Sequence, residues 1–273
     1  MLVLIMLLMI AGLARSSGQA PIQEGLVLYL DAASQVAKGG PGADNSLWTN
    51  LATGNPGALG DAMLRRAGEG PKAGWTGTGT SWNPYALRFD AATLWAEGTG
   101  DYTVFPNVTL EAWAFVEGAG NNLKAGARNW RGATLVTSDF GQGGLGLLIS
   151  PERSQPVLLG GRQHVPSAVS TPLRTWLHLV LAMTGDEGRL YVNGEPQGSV
   201  NLPRSAYNDP APGYLLGCAR QVKNEYVEAD GLEGALAVVR VYDRALSGKE
   251  IAQCFAAECA RFGVEAVSEK PPV

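Results

Sequence analysis

The sequence predicts an all-β sandwich of antiparallel strands closed by one short C-terminal helix, and three observations carry that expectation. Short runs rich in Val, Leu, Ile, Tyr and Trp recur along the chain with Gly, Pro, Asn and Asp between them, the pattern of strands separated by turns. The composition agrees. There are 36 Gly and 16 Pro against a charged fraction of only 17%, a balance suited to many short strands and tight turns. Near the C-terminus, apolar residues instead recur at three- and four-residue intervals behind a capping signal. The 273 residues suit one large domain with a sizeable core, since sandwiches often exceed the usual ~150-residue domain.

The first segment stands outside that pattern. Leu2 to Leu13 is almost unbroken apolar sequence, followed by a polar stretch from Arg15 to Ala20 with small residues at Gly18 and Ala20. About a dozen apolar residues matches a signal peptide and falls short of the ~20 a spanning helix needs. No Lys or Arg precedes the run, a departure from the usual positively charged start. The expectation is an export signal over residues 1–20, cleaved near Ala20. The mature chain is then secreted or extracytoplasmic, at the cell surface or in the periplasm, and not inserted in a membrane. A net charge of −4, with no basic stripe or polybasic patch, argues against nucleic acid and anionic lipid as partners.

The sandwich is expected over residues 21–263. Gly25 to Leu30 reads as its first strand. Residues 32–84, rich in Gly, Pro, Asn and Thr, read as long loops holding a few short strands. Further strands are predicted over 85–89, 108–116, 133–137, 145–149, 156–159, 176–184, 189–192, 214–216 and 235–242. Thr184 to Gly188 separates two of them, and Asn193-Gly194 is a two-residue type I′ turn after the second. Ser247 and Glu250 have capping-box spacing, in which each side chain satisfies an exposed backbone N–H. Ile251, Cys254, Phe255, Cys259 and Phe262 then form an apolar helix face interrupted only by Glu258, and Gly263 is the natural cap. Residues 264–273 are expected to be a flexible tail.

Two charges sit inside apolar strand runs, Glu111 in Leu110–Trp113 and Arg240 in Val238–Val241. A charge there is costly unless paired, so the two are predicted to be an ion pair across neighbouring strands. The cysteines, Cys218, Cys254 and Cys259, are odd in number, with no CxxC and no His beside them to suggest zinc. A disulfide between Cys218 and one helical cysteine is expected, with reduced buried thiols as the equal alternative. Cys254 and Cys259 point in different directions on one helix and do not suit each other.

These residues carry a resemblance. The string TWLHLVLAMT over 175–184 followed by GRLYVNG over 188–194, and GALAVVRVYDRALS over 234–247 followed by Glu250-Ile251, are similar to the hairpin and the closing strand-plus-helix of laminin-G-like domains in the concanavalin A-like lectin/glucanase superfamily. LRFD over 87–90 and VTLEAW over 108–113 fall in the order that family uses. The resemblance implies a jelly roll of two antiparallel sheets, covers most of residues 25–262, and implies a module that binds glycan or extracellular protein through its loops or concave face. The sequence departs from the family at Ala91–Trp95 and in the long segment from Gly118 to Arg131, so fold and function are argued apart.

Candidate chemistry is sparse. Glu228, Asp230 and Glu233 fit the E-x-D-x-x-E pattern of laminarinase-type glucanases, in which two carboxyls flank the sugar bond. Strand alternation, however, puts Glu233 on the face opposite Glu228 and Asp230 unless Gly231 supplies a bulge. A non-catalytic module is therefore favoured over a glucanase. His164 and His178 are far apart, and His178 reads as a packed, hydrogen-bonded strand residue. A calcium ion is a candidate cofactor, held by the strand-end residues Asp31, Asp90 and Asp243, although turn formation explains an Asp at a strand end more simply. Sugars present apolar C–H faces to aromatic rings, so the candidate ligand contacts are Trp95, Trp130, Tyr207 and Tyr226, with Asn129 and Asp139 as polar partners. Trp48, Trp113 and Trp176 lie in or beside strands and are assigned to the core.

Overall fold

In the computed structural model, residues 20–36, 46–52, 54–66, 74–91, 93–119, 132–138, 144–150, 154–161, 163–207, 211–218 and 231–265 are described. Among them, two antiparallel sheets of eight strands face each other. Sheet I runs β14 (Glu195–Asn201), β13 (Glu187–Val192), β12 (Trp176–Thr184), β7 (Asn107–Ala119), β16 (Leu232–Tyr242), β5 (Ala86–Asp90) and β4 (Gly74–Thr76). β1 (Leu26–Asp31) joins it on the same flank of β16 as β5, opposite the later half of that strand. Sheet II runs β11 (Gln163–Pro166), β10 (Gln155–Gly161), β9 (Gly144–Ser150), β8 (Ala133–Thr137), β15 (Gly213–Leu216), β6 (Leu94–Thr99), β3 (Ala62–Arg66) and β2 (Leu47–Trp48). This is the jelly-roll sandwich expected from the sequence.

Side-chain alternation explains the two-layer packing. On β7, Leu110, Ala112 and Ala114 point inward, and Glu111, Trp113 and Phe115 outward. Leu87, Phe89, Leu179, Leu181 and Val239 from sheet I meet Trp48, Leu94, Leu135, Leu147, Tyr214 and Leu216 from sheet II in one buried cluster. Each large side chain removed from water here contributes roughly 1.5–3 kcal/mol, which makes this layer the main source of stability.

The predicted hairpins are present. β12 pairs with β13 through a turn at Gly185 and Asp186, with Thr184 opposite Glu187. Asn193 and Gly194 take φ of 50° and 81°, the left-handed pair a type I′ turn requires. Helix α2 (Gly248–Glu258) begins with a complete capping box from Ser247 and Glu250, tightens into a 3₁₀ turn over Cys259–Phe262, and ends at Gly263 with φ of 65°. Among the described residues, β6, β11, the short helix α1 (Ala32–Val36) and the 3₁₀ turns at Tyr102–Val104 and Arg204–Ala206 were not anticipated. The start of the expected tail is partly anchored, since Val264 donates its N–H to Cys259 O at 3.0 Å and packs against the aromatic layer under α2.

Candidate functional site

The central part of the outward face of sheet I is covered by α2 and the turn that follows it. Ile251 and Cys254 pack on Val180, Ala182 and Tyr242, while Phe255, Cys259 and Phe262 pack on Ala86, Trp113 and Val238. The predicted pair is present beneath the helix: Arg240 lies directly opposite Glu111 in register, and its Nη1 donates to Glu111 Oε1 at 2.5 Å. Arg240 also forks onto Glu258, with Nη1–Oε2 at 2.9 Å and Nη2–Oε1 at 2.6 Å. Glu258, the residue that interrupts the apolar helix face, is thus the clamp between helix and sheet.

Every neighbour contributes to this network. His178 Nε2 lies 3.1 Å from Glu111 Oε1, Tyr242 Oη donates to Glu111 Oε2 at 3.1 Å, and Trp113 Nε1 donates to Glu258 Oε2 at 3.0 Å. Burial by itself would raise the Glu111 carboxyl, but the Arg240 charge and the His178 and Arg240 hydrogen bonds outweigh it and hold its pKa at about 2. Burial likewise would lower Arg240, yet the two carboxylates push it well above its usual value. Burial pushes the Cys254 thiol up to about 12, which leaves it unreactive. These groups are sealed from solvent and act as a fastener; a ligand cannot reach them.

The residues expected to form sites are dispersed. Trp95 is on β6 rather than in a loop and only 7% exposed, packed with Leu215 and Cys218 on the side of sheet II away from the core. Tyr207 is 3% exposed and belongs to the central core. Neither can serve as a stacking platform, because a sugar needs an accessible ring face. Trp130, Asn129, Asp139, Tyr226, Glu228 and Asp230 lie outside the described residues. Glu233 is exposed on β16, while its neighbour Leu232 is buried in the core on the opposite face. Trp48 and Trp113 are fully buried as expected, but Trp113 belongs to the layer under α2 rather than to the central core. Trp176 is partly buried against that same layer.

The three aspartates are strung along β16. Asp90 stands opposite Glu233, Asp31 opposite Val238, and Asp243 follows the strand, its N–H bonded to Gly25 O. Five residues separate each of these levels, roughly 16 Å of extended chain, so the three cannot enter one coordination sphere with ligands about 2.3–2.6 Å from the ion. Each is also engaged locally. Arg261 forks onto Asp31 at 2.8 and 2.6 Å, Asp90 accepts from Thr93 N at 2.8 Å and from its hydroxyl, and Asn55 Nδ2 donates to Asp243 at 3.4 Å. Among the described residues, no group of three or more His, Cys, Asp or Glu could hold a metal ion.

The expected disulfide is absent. Cys218 lies beyond sheet II, and Cys254 and Cys259 lie under the helix beyond sheet I, so the whole sandwich separates them.

One aromatic residue among those described is strongly exposed, and the sequence reading did not select it. Trp82 is 80% exposed. It sits at the tip of a tight turn in which Thr80 and Asn83 bridge, with Asn83 N–H on Thr80 O at 3.0 Å and the Thr78 and Gly79 N–H groups on Asn83 O at 2.9 and 3.1 Å. Gly77 and Gly79 have φ of 100° and 82°. A Cβ at Gly77 would strike the Pro84 carbonyl, and one at Gly79 would strike the Tyr85 ring. The turn is tied by these backbone bonds and needs glycine at both positions, and its Ser81 carbonyl lies against Gly263 at the end of the helical segment. Among the described residues, the Trp82 indole N–H, the Ser81 hydroxyl and the Asn83 amide have no hydrogen-bond partner in the chain. A ring face with three uncommitted polar groups beside it is a fitting surface for a polar molecule with an apolar face. The signal was present in the sequence as a lone Trp inside a Gly-, Thr-, Ser-, Asn- and Pro-rich stretch.

A second surface feature is an open groove of about 650 Å³ between the β13–β14 hairpin and the start of α2. Its charged lining is balanced, with Glu187 and Glu195 against Arg189 and Lys249, and Arg189 donates to Glu187 at 3.1 Å.

Fold and surface together define an antiparallel jelly-roll sandwich with one helix-covered sheet and a tryptophan presented on a turn. Residues 90–252, more than half of the chain, match the family model described as the concanavalin A-like lectin/glucanases superfamily, and the chain belongs to that superfamily. A search of curated protein sequences finds no match. Among solved structures it is similar to Trypanosoma rangeli sialidase in complex with the inhibitor DANA, at TM-score 0.56 and 18% identity, covering 88% of this chain and 34% of the sialidase. It is also similar to domain 4 of an extracellular arabinanase from Geobacillus stearothermophilus in complex with arabinotriose, at TM-score 0.56 and 14% identity, covering 85% of this chain and 98% of that domain. A third is a botulinum neurotoxin type C structure, whose cell entry depends on two ganglioside molecules, at TM-score 0.56 and 11% identity, covering 86% and 51%. The chain spans about a third of the sialidase's length. At these identities the likeness is one of fold. Among the described residues, no helix is long and apolar enough to cross a membrane.

Proposed function

We propose that this chain is an exported, non-catalytic recognition module for glycans, with Trp82 as its contact ring. The observation that carries the proposal is the 80% exposure of Trp82 at the tip of a hydrogen-bonded turn. Leaving an indole in water is unfavourable for the chain alone, whereas a sugar's C–H face stacks on it and replaces that water. The uncommitted Ser81, Trp82 and Asn83 donors and acceptors answer the hydroxyls at the ring edge. The architecture adds support by analogy, since the Geobacillus domain of the same fold was solved with arabinotriose. Export rests on the apolar leader from Leu2 to Leu13.

The non-catalytic half rests on the sequence pattern, in which strand alternation puts Glu233 on the face opposite Glu228 and Asp230. Glycoside hydrolysis needs two carboxyls about 5–9.5 Å apart across the scissile bond. Among the described residues, Asp90, opposite Glu233, is bound to Thr93, and Glu117, one strand over, is paired with Arg88. The test is a glycan-array screen of the mature chain, with and without Ca²⁺, beside Trp82→Ala. Binding that disappears with the ring supports the proposal. Binding unchanged in the variant moves the site elsewhere, and reducing-sugar release from a β-glucan overturns the non-catalytic half.

A further inference from the structure

We infer that the glycan is neutral and repeating: a polysaccharide of uncharged sugars met at its surface, rather than a sialylated, sulfated or uronic acid-bearing glycan. This rests on the reading of Trp82 as the contact ring.

An anionic sugar is held by a guanidinium or ammonium aimed at its carboxylate or sulfate, most strongly by a bidentate Arg. Among the described residues most of these groups are engaged, and Lys249, exposed and unpaired, stands in the groove at the start of α2, at the other end of the helical segment from Gly263. Arg65 pairs with Glu97, Arg88 with Glu117, Arg189 with Glu187, Arg244 with Glu250 and Arg261 with Asp31. Arg174 and Arg204 donate to backbone carbonyls at Glu117, Phe105 and Thr103. The Trp82 turn itself, from Thr76 to Tyr85, holds no charged side chain. Arg261, close in sequence to the Gly263 on which the turn rests, is stacked over Phe262 and forked onto Asp31. The groove beside α2 carries as many carboxylates as cations.

What the turn offers is an indole face, an indole N–H, a hydroxyl and an amide, all neutral, matching ring C–H groups and hydroxyls. Its shape adds the second half of the inference. A ring on a protruding turn touches one face of one sugar and encloses nothing. A single stack with a few solvent-exposed hydrogen bonds supports dissociation constants near about 1 mM. Such a contact becomes useful where many identical sugars are displayed side by side and rebinding raises the effective concentration.

The test is affinity gel electrophoresis of the mature chain through gels containing linear arabinan, a soluble β-glucan or polygalacturonate, comparing wild type with Trp82→Ala, Arg189→Ala and Lys249→Ala. The inference expects retardation in a neutral gel, little changed by added salt, reduced about tenfold or more by Trp82→Ala and unaffected by the two cation variants. Retardation confined to polygalacturonate and reversed by salt or by loss of Arg189 or Lys249 overturns the neutral class while leaving glycan recognition standing. Retardation in a neutral gel that survives Trp82→Ala overturns both the inference and the assignment of the ring. No retardation in any gel, with a glycan array also blank, removes the glycan reading itself.

Discussion

Trp113 and Trp82 carry the same side chain to opposite ends of the exposure scale. Trp113 is fully buried between sheet I and α2, stacked on Phe262 at 4.1 Å, and its indole N–H is taken by Glu258. Trp82 lies 80% in solvent, and its indole N–H has no partner among the described residues. Trp113 is packed in a layer, and Trp82 stands at the tip of a hydrogen-bonded turn. What differs is whether the surroundings use up the ring's bonding capacity. Around Trp113 the ring faces and the indole N–H are taken up and closed to a ligand; around Trp82 they are open.

Substitutions should separate the two regions, beginning with the fastener over Trp113. Arg240→Ala leaves Glu111 and Glu258 buried without their counter-charge, and stability should fall by about 3–5 kcal/mol. The denaturant midpoint measures it, and an unchanged midpoint would refute the buried network. Glu111→Ala should cost less but in the same direction, because it leaves Arg240 with Glu258 as its one carboxylate partner and removes the hydrogen-bond partner of Tyr242 and His178.

The pH dependence follows from the same carboxylate. Glu111 falls from a reference of 4.5 to about 2 in the folded protein, so its contribution is complete above pH 4.5. It is lost as acid drives the pH down from 4.5 through about 2. The full contribution is about 3 kcal/mol as an upper estimate. Acid titration of the melting temperature should show that loss in the wild type, and a flatter profile in Glu111→Gln.

Smaller effects come from the helix start and the exposed ring. Ser247→Ala removes the hydroxyl that accepts from Glu250 N at 3.4 Å and breaks the capping box, which should cost about 1 kcal/mol by thermal denaturation. Trp82→Ala should change stability by no more than about 0.5 kcal/mol, since the ring buries little. A large destabilisation there would show that the indole is a structural prop and would remove the contrast with Trp113.

The parts of the fold legible in the sequence are those fixed by local chemistry. Asn193-Gly194 dictated its turn, Ser247 and Glu250 placed the helix start, and two charges in apolar strands named each other as partners. The break at Glu258 in the helix face was visible too, although its meaning waited on Arg240. What was not legible depends on which sheet a segment joins. Trp95 follows an Ala-Ala-Thr sequence that carries no strand pattern, and its place on a covered strand comes from the pairing of β6 with β15 and β3. Cys218 and the helical cysteines look like partners in a list of three, yet opposite layers hold them. Asp31, Asp90 and Asp243 share a description as strand-end residues, and the register of β16 spaces them out. Trp82 escaped notice because exposure is a property of the folded surface, and a Trp in a turn-rich stretch has no periodicity to mark it.

The most direct test of the central contrast is the indole N–H spectrum of the mature, nitrogen-15-labelled chain during titration with a neutral oligosaccharide such as arabinotriose, with the Trp82 and Trp113 signals assigned by Trp82→Phe and Trp113→Phe. The account predicts that the Trp82 indole resonance moves in a saturable way while the Trp113 resonance stays fixed. A stationary Trp82 signal, with other indole resonances shifting as sugar is added, would contradict it.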